Sequence, residues 1–240
     1  MLGARLQALQ WSMGKDPGGY VNEVQAQKAE WERSIKAWLN APQVESKETG
    51  ELAVFLSNMH VHHPELLADF PEQLLGIFGG GVNNNTEAAA SVASMARETR
   101  YKMATALTIL CARKGCKTEQ LCSTFFHLFS IPDKKLRSYM YSSCVGAVKR
   151  ANAKSVDQGM NRRIQRTLAA MLHGSDGPSS RLAVNMFVEM YRRRMWDDDY
   201  AVNMIGEACF SRSNKVSLLY PLSFTLYLLT LTPYTKDQTR

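Results

Sequence analysis

The sequence has 240 residues, of which 45% are apolar, and it carries a formal net charge of +7. This apolar content excludes a globally disordered chain, and the length is enough to bury a substantial core. Residues 130–216 contain 15 Lys/Arg and 8 Asp/Glu, so the rest of the chain, with 14 of each, is neutral. Localised positive charge favours an anionic partner: nucleic acid, an acidic protein or an anionic membrane.

The N-terminal part is predicted to form helices separated by Pro and Gly residues. Residues 16–19 (DPGG) end the first helix, and a second runs from about residue 20 to residue 39. A brief helix is expected between His63-Pro64 and Phe70-Pro71.

The next feature is GGGVNNNTEAAAS, residues 79–91, whose Gly and Asn content is typical of a flexible surface loop. We therefore predict that an N-terminal helical subregion, residues 1–78, is separated by this loop from the remainder of the array.

From residue 92 onward, apolar residues recur at helical spacing. Short turns separate these groups, and two helices with their turns occupy about 40 residues, the period of HEAT or armadillo repeats. The sequence therefore predicts an all-α fold, a HEAT/armadillo-like α-solenoid of stacked antiparallel helix pairs, with a basic helical-repeat region over residues 92–216. Six groups carry the pattern: Met103/Leu107/Leu110/Cys111, Leu121/Phe125/Leu128/Phe129, Leu136/Met140/Cys144, Ile164/Leu168/Leu172, Leu182/Met186/Met190 and Val202/Ile205/Cys209.

Opposite charge blocks meet in residues 188–210, VEMYRRRMWDDDYAVNMIGEACF. Arginines 192–194 are expected to end one helix, where exposed carbonyls favour cations. Asp197 or Asp198 is expected to cap the next helix, and Trp196 to fill the turn against the core. A helix end needs one or two cations, so the local explanation covers the aspartates but only part of the arginines.

Cationic residues recur once or twice per helix pair, which favours an anion-binding ridge over a merely solvated surface. Contact with a nucleic-acid backbone would then be salt-sensitive and largely independent of sequence. The candidate RNA- or partner-binding residues are Lys134, Lys135, Arg137, Lys149, Arg150, Lys154, Arg162, Arg163, Arg166, Arg192, Arg193 and Arg194, and Arg212 and Lys215 extend the series.

No motif for catalysis or nucleotide binding is present: GxSxG, GxxxxGK[ST] and GxGxxG are all missing from the sequence. Residues 60–63 (HVHH) could suggest a metal site, but a proline follows and no nearby carboxylate completes it. The five cysteines are odd in number and lack CxxC spacing, which indicates free thiols in a reducing compartment. We predict no enzyme activity, no cofactor, no metal and no small-molecule substrate.

The apolar C-terminal segment, residues 217–240, is of uncertain status. Residues 216–234 carry no charge and approach the length of a membrane span, but they include Pro221 and several Ser and Thr. A buried terminal helix or tail is favoured over a span. The N-terminal residues are too polar for a secretory signal.

A collinear series of residues from about Leu6 to Val216 resembles one known family. Its strongest part is Tyr191-Arg192-Arg193, Trp196, Asp198, Val202-Asn203, Ile205 and Ala208-Cys209-Phe210. Earlier members are Lys15-Asp16-Pro17 with Tyr20, His63-Pro64-Glu65, Phe70-Pro71, Phe125-Phe126 with Leu128-Phe129, Asp133-Lys134 with Leu136-Arg137, Lys149 with Asn152, and Asn161-Arg162 with Met171-Leu172. Together they resemble the Sda (severe depolymerisation of actin) family.

The resemblance implies an α-helical repeat protein that assembles and exports the large (60S) ribosomal subunit. Its implied location is the nucleolus or nucleus, and its implied partner is the pre-ribosomal particle, with ribosomal RNA, ribosomal proteins and other assembly factors. Family members are longer than this chain, and residues after Val216 depart from the pattern. The family name also leaves a second hypothesis open, a protein-transport or actin-cytoskeleton-linked adaptor without direct RNA binding.

Overall fold

The computed structural model describes residues 2–79, 85–174 and 178–209, and within these ranges the chain is built from α-helices without a β-strand. Two short 3₁₀ helices, Gly18–Tyr20 and Leu128–Ser130, supplement them. The α-helices are α1 Leu2–Lys15, α2 Val21–Leu39, α3 Lys47–Met59, α4 Phe70–Ile77, α5 Asn85–Ser94, α6 Arg97–Ala112, α7 Thr118–His127, α8 Lys134–Ala151, α9 Gln158–Gly174, α10 Pro178–Arg192 and α11 Asp199–Cys209.

Polar side chains and turn geometry define several helix ends. Ser46 accepts a hydrogen bond from the Thr49 backbone N–H at 3.3 Å and so caps α3. Pro178 opens α10, a position where its missing N–H costs no helical hydrogen bond. Two residues beyond the ends of α6 and α10, Lys114 (φ 65°) and Arg194 (φ 53°) adopt positive φ, a conformation that usually selects glycine.

The chain divides into two compact units, Met1–Met160 and Asn161–Arg240, and the division falls inside α9. In the first unit α3 packs against α1, α2 and α6, and its Leu52, Phe55 and Leu56 are buried. α8 packs against α6 and α7. Trp31 of α2 meets Phe70 edge-on at 5.4 Å and donates its indole N–H to Gln73, which anchors α4.

In the second unit, α10 packs against α11, and the apolar face of α10 is fully buried at Val184, Phe187 and Met190. The hydroxyl of Ser180 donates to the Met171 carbonyl of α9 at 3.4 Å. These contacts join the three helices through one apolar core.

Three expectations differ from the structure. Residues 61–69 form turns, and the brief helix is α4, because Pro71 suits a first helical turn better than a position after a helix end. Residues 85–91 of the expected loop belong to α5, since their alanine-rich sequence favours a helix and Ala89 is buried. The division between compact units does not coincide with residues 79–91.

The C-terminal segment 217–240, together with Arg212 and Lys215, lies outside the described residues. Among the helices that are described, none is long and apolar enough to cross a membrane.

Candidate nucleic-acid interface

The cations predicted from the sequence are distributed over both units. Among those that lie in the described ranges, all are exposed except Arg137, which is half-buried. The clusters at the two ends of α8 belong to the first unit, and those on α9 and at the end of α10 belong to the second. Their alignment into one ridge stays a prediction because it spans both units.

The first turn of α8 carries two exposed lysines, Lys134 and Lys135, directly after the capping residue Asp133. The Asp133 carboxylate accepts from the Leu136 N–H at 3.1 Å, which satisfies one of the open donors of this turn. A helix N-terminus carries positive partial charge, so lysines there are locally unfavourable. Arg137, by contrast, donates to the Ile131 carbonyl and has a structural contact.

Asp133 also forms ion pairs with two arginines of α6. Its carboxylate lies 2.8 Å from Arg100 Nη2 and 3.5 Å from Arg97 Nε. Burial opposes its ionisation, but the Leu136 N–H, Arg100 and Arg97 outweigh burial and lower the pKa of Asp133. One carboxylate therefore faces two guanidinium groups, and positive charge is left over.

Arg100 is held firmly in the wall of this region, with only 7% of its side chain exposed. Its Nη1 donates to the carbonyls of Val92 and Ala93 at 3.1 and 3.0 Å. Within the part of the chain that the structure describes, its buried Nε has no hydrogen-bond acceptor. The guanidinium is therefore fixed in position with one donor unsatisfied.

Two tyrosines lie next to the charged residues of α6 and α8. Tyr101 of α6 and Tyr139 of α8 have ring centroids 4.8 Å apart at 50°, and Lys135 Nζ lies 5.5 Å from the Tyr101 centroid. Burial, Tyr139 and the nearby Glu98 raise the pKa of Tyr101, so its phenol keeps its proton at neutral pH. Both rings are half-buried.

These residues line one groove of about 850 Å³, which we call the α6–α8 groove. Its charged and aromatic side chains are Arg97, Arg100, Tyr101, Asp133, Lys134, Lys135 and Tyr139. Four cations thus face one carboxylate beside an aromatic pair, and this composition suits an anion that carries a flat ring.

The sequence pattern predicts the lysines of this groove but not its α6 wall. Arg97 and Tyr101 lie in the part of the chain whose net charge is zero, so the distribution of charge along the chain does not indicate them. A usable signal was present, because Arg97/Tyr101 and Lys135/Tyr139 each place a cation four residues before a tyrosine on one helix face.

The end of α10 has a different construction. The Arg194 N–H donates to the Tyr191 carbonyl at 2.9 Å and the Met195 N–H to the Met190 carbonyl at 3.0 Å, which is the Schellman arrangement. Arg193 is bound to Glu189 one turn earlier, with nitrogen–oxygen distances of 2.7 and 2.6 Å. Two of the three arginines therefore have local roles.

Trp196 lies just after this turn and is only 1% exposed. Its ring meets Phe187 of α10 edge-on at 5.5 Å. Of the two candidate caps, Asp198 accepts from the Ala201 N–H at 2.9 Å, and it also accepts from the buried Gln165 of α9 at 3.1 Å. Asp197 is exposed and has no capping bond in the described structure.

The remaining candidate chemistry is sparse. Burial lowers the pKa values of His60 and His63, and His62 lowers that of His63 further. Cys111, Cys116, Cys122 and Cys144 are free thiols, whereas the Cys209 side chain is outside the described set. No group of three or more His, Cys, Asp or Glu within the described ranges could hold a metal ion.

Comparison with known proteins decides the family. The family described as "SDA1, HEAT repeat" matches residues 55–228, more than half of the chain. The chain belongs to the SDA1 family. An all-α HEAT-repeat fold, predicted from apolar spacing alone, is thereby confirmed.

Similar SDA1 proteins come from distant eukaryotes. "Protein SDA1 homolog" of Dictyostelium discoideum is 29% identical over 89% of this chain and 27% of its own length. The Xenopus tropicalis homolog is 28% identical over 94% and 31%, and "Protein SDA1" of Chaetomium thermophilum is 27% identical over 89% and 27%. The chain thus spans less than a third of these relatives' length.

The region matched to the SDA1 HEAT repeat includes the α6–α8 groove and the turn between α10 and α11. Both features are therefore part of the family domain. Their roles rest on the geometry given above, since the family match assigns none to single residues.

Proposed function

We propose that this chain is the helical-repeat part of a non-catalytic scaffold for assembly of the large ribosomal subunit. Its partner is the pre-ribosomal particle, with ribosomal RNA, ribosomal proteins and other assembly factors, and its place of action is the nucleolus or nucleus. A contribution to nuclear export belongs to the same proposal.

Membership of the SDA1 family is the observation that carries this proposal. Exposed cations on both units and a cationic, aromatic groove on the first support contact with RNA. Such contacts would be made mainly to phosphates and would weaken with salt.

Sedimentation of a nuclear extract that contains the tagged chain tests the proposal. We expect the chain to migrate with large-subunit precursors, and ribonuclease treatment to shift it to the top of the gradient. Migration at the top before any treatment would contradict the scaffold role.

A parallel arm uses purified actin filaments, because the second hypothesis is a cytoskeleton-linked or transport adaptor. We expect no pelleting with filaments above the level of an unrelated basic protein. Ribonuclease-resistant pelleting with filaments would favour the adaptor instead.

A further inference from the structure

The α6–α8 groove is paired across its two helices. Each wall offers a cation and, four residues later, a tyrosine: Arg97 and Tyr101 on α6, Lys135 and Tyr139 on α8. The two rings contact each other across the groove, with centroids 4.8 Å apart. The groove therefore offers an aromatic pair together with cations from both helices.

The positive charge of the groove is not neutralised by the carboxylate that lines it. Asp133 is shared by Arg100 and Arg97, and in the described structure neither Lys134 nor Lys135 has an ion pair. Arg97 is exposed over 65% of its side chain, so its guanidinium can reach a ligand without leaving Asp133. Three accessible cations remain for one anion.

The lysines are also not explained by the needs of their helix end. They occupy the helix end where cations are disfavoured, whereas Lys149 and Arg150 occupy the favourable end of the same helix. An anion bound between α6 and α8 would offset the unfavourable position.

A ligand with both an anion and a flat ring uses the whole groove. We propose that the α6–α8 groove binds an unpaired RNA nucleotide, with its base against Tyr101 and Tyr139 and its phosphate held by Lys134, Lys135 and Arg97. The volume of about 850 Å³ lies within the roughly 300–1,000 Å³ of small-ligand sites, which fits one flipped or single-stranded nucleotide better than a duplex. This site rests on the proposed function and gives its RNA contact a location.

An RNA-binding experiment on the whole chain tests the site. The probe is a single-stranded RNA of about ten nucleotides with a fluorescent 5′ label, and fluorescence anisotropy measures its binding. Loss of a stacking side chain is expected to weaken binding roughly 5- to 150-fold for Tyr101→Ala or Tyr139→Ala. Tyr101→Phe and Tyr139→Phe keep the ring and should stay within about twofold of the unchanged chain. A duplex of the same sequence should bind more weakly, and a free mononucleotide should compete only weakly because it lacks neighbouring phosphates.

Lys36→Ala is the matched control for Lys135→Ala. Both change one exposed lysine of the first unit, but Lys36 lies on α2, does not line the groove and is not one of the candidate RNA-binding residues. Only Lys135→Ala should weaken RNA binding. Equal losses from the two, unchanged binding in both Tyr→Ala variants, or duplex binding as tight as single-strand binding would each overturn the proposal.

An acidic peptide with the same net charge as the RNA tests whether the groove binds a protein instead. If it binds more tightly than the RNA and displaces it, the groove is a protein-docking site and the nucleotide proposal is wrong. Sedimentation of the same variants separates a failure of this site from a failure of the proposed function. If a chain without both tyrosines still migrates with precursor particles, this site alone is disproved. An unaltered chain that does not migrate with them disproves the proposed function.

Discussion

The start of α8 and the end of α10 both present consecutive exposed cations, yet the two helix ends use them differently. At the end of α10 the dipole favours cations, Arg193 is bound to Glu189, and Arg194 forms the left-handed cap. At the start of α8 the dipole disfavours Lys134 and Lys135, and no carboxylate in the described structure pairs with them. A run of like charges therefore indicates a partner only where the helix dipole, capping and local ion pairs do not already explain it.

The largest expected effect tests the anchor of the α10 turn. Trp196→Ala should lower the free energy of unfolding by about 3–5 kcal/mol, because it removes a fully buried ring packed on Phe187. Urea denaturation measures the loss, and Trp196→Phe should retain part of the packing. A loss below about half a kcal/mol would show that the turn does not depend on this ring.

Asp133→Ala tests the start of α8 in the same way. It removes a helix cap and leaves the buried Arg100 without its carboxylate, so a loss of about 2–4 kcal/mol is expected. Asp133→Asn keeps a capping oxygen and should lose less. If the Ala and Asn variants unfold at the same urea concentration, the capping oxygen contributes nothing measurable. If the Asn variant unfolds at the same urea concentration as the unaltered chain, the ion pair with Arg100 contributes nothing measurable.

The Asp133 carboxylate also makes the free energy of unfolding depend on pH. Its pKa is lowered in the folded state, so its stabilisation is present above its unfolded pKa of about 3.9 and is lost as pH falls through the folded value. The unaltered chain should therefore lose stability relative to Asp133→Asn below about pH 4. Parallel stability profiles for the two chains in that range would contradict the assignment.

How well the sequence predicts these features depends on how far apart in the sequence the contacting residues lie. Trp196 burial and helix starts at Asp133 and Asp198 follow from local pattern, because capping and helical spacing act within about four residues. The pairing of Tyr101 with Tyr139 depends on the packing of α6 against α8, which no local rule gives. The role of Arg194 was also missed, since a left-handed cap at an arginine runs against the usual preference for glycine.

Asp198→Ala should destabilise by roughly 0.5–2 kcal/mol, because it removes the cap of α11 and an acceptor for the buried Gln165. Asp197→Ala changes the same charge one residue earlier and should have a much smaller effect. Thermal denaturation of the two variants at one pH makes the comparison. Equal shifts in Tm would show that general charge, and not the cap, sets the stability of this turn.

The smallest expected effects come from single helix-end residues, and they differ in sign between the two ends of α8. Arg194→Gly should raise stability by about 1 kcal/mol, because glycine adopts the positive φ without strain. Lys134→Ala with Lys135→Ala should also be neutral or slightly stabilising, whereas Lys149→Ala should cost about 0.3–1 kcal/mol at low salt. Destabilisation by the two N-terminal changes would mean that the contact of Lys135 with the Tyr101 ring outweighs the unfavourable helix dipole.

The salt dependence of single-stranded RNA binding tests the central claim most directly, with two double variants that each remove two positive charges. We expect Lys134→Ala/Lys135→Ala to reduce the slope of log K against log salt by about 0.7, the value for one lost phosphate contact on a single strand. Arg193→Ala/Arg194→Gly should reduce it by less than half as much, because those arginines are engaged at their own helix end. An equal reduction would support the sequence-based hypothesis that the arginines also contact phosphate, and an unchanged slope in the lysine variant would contradict the account.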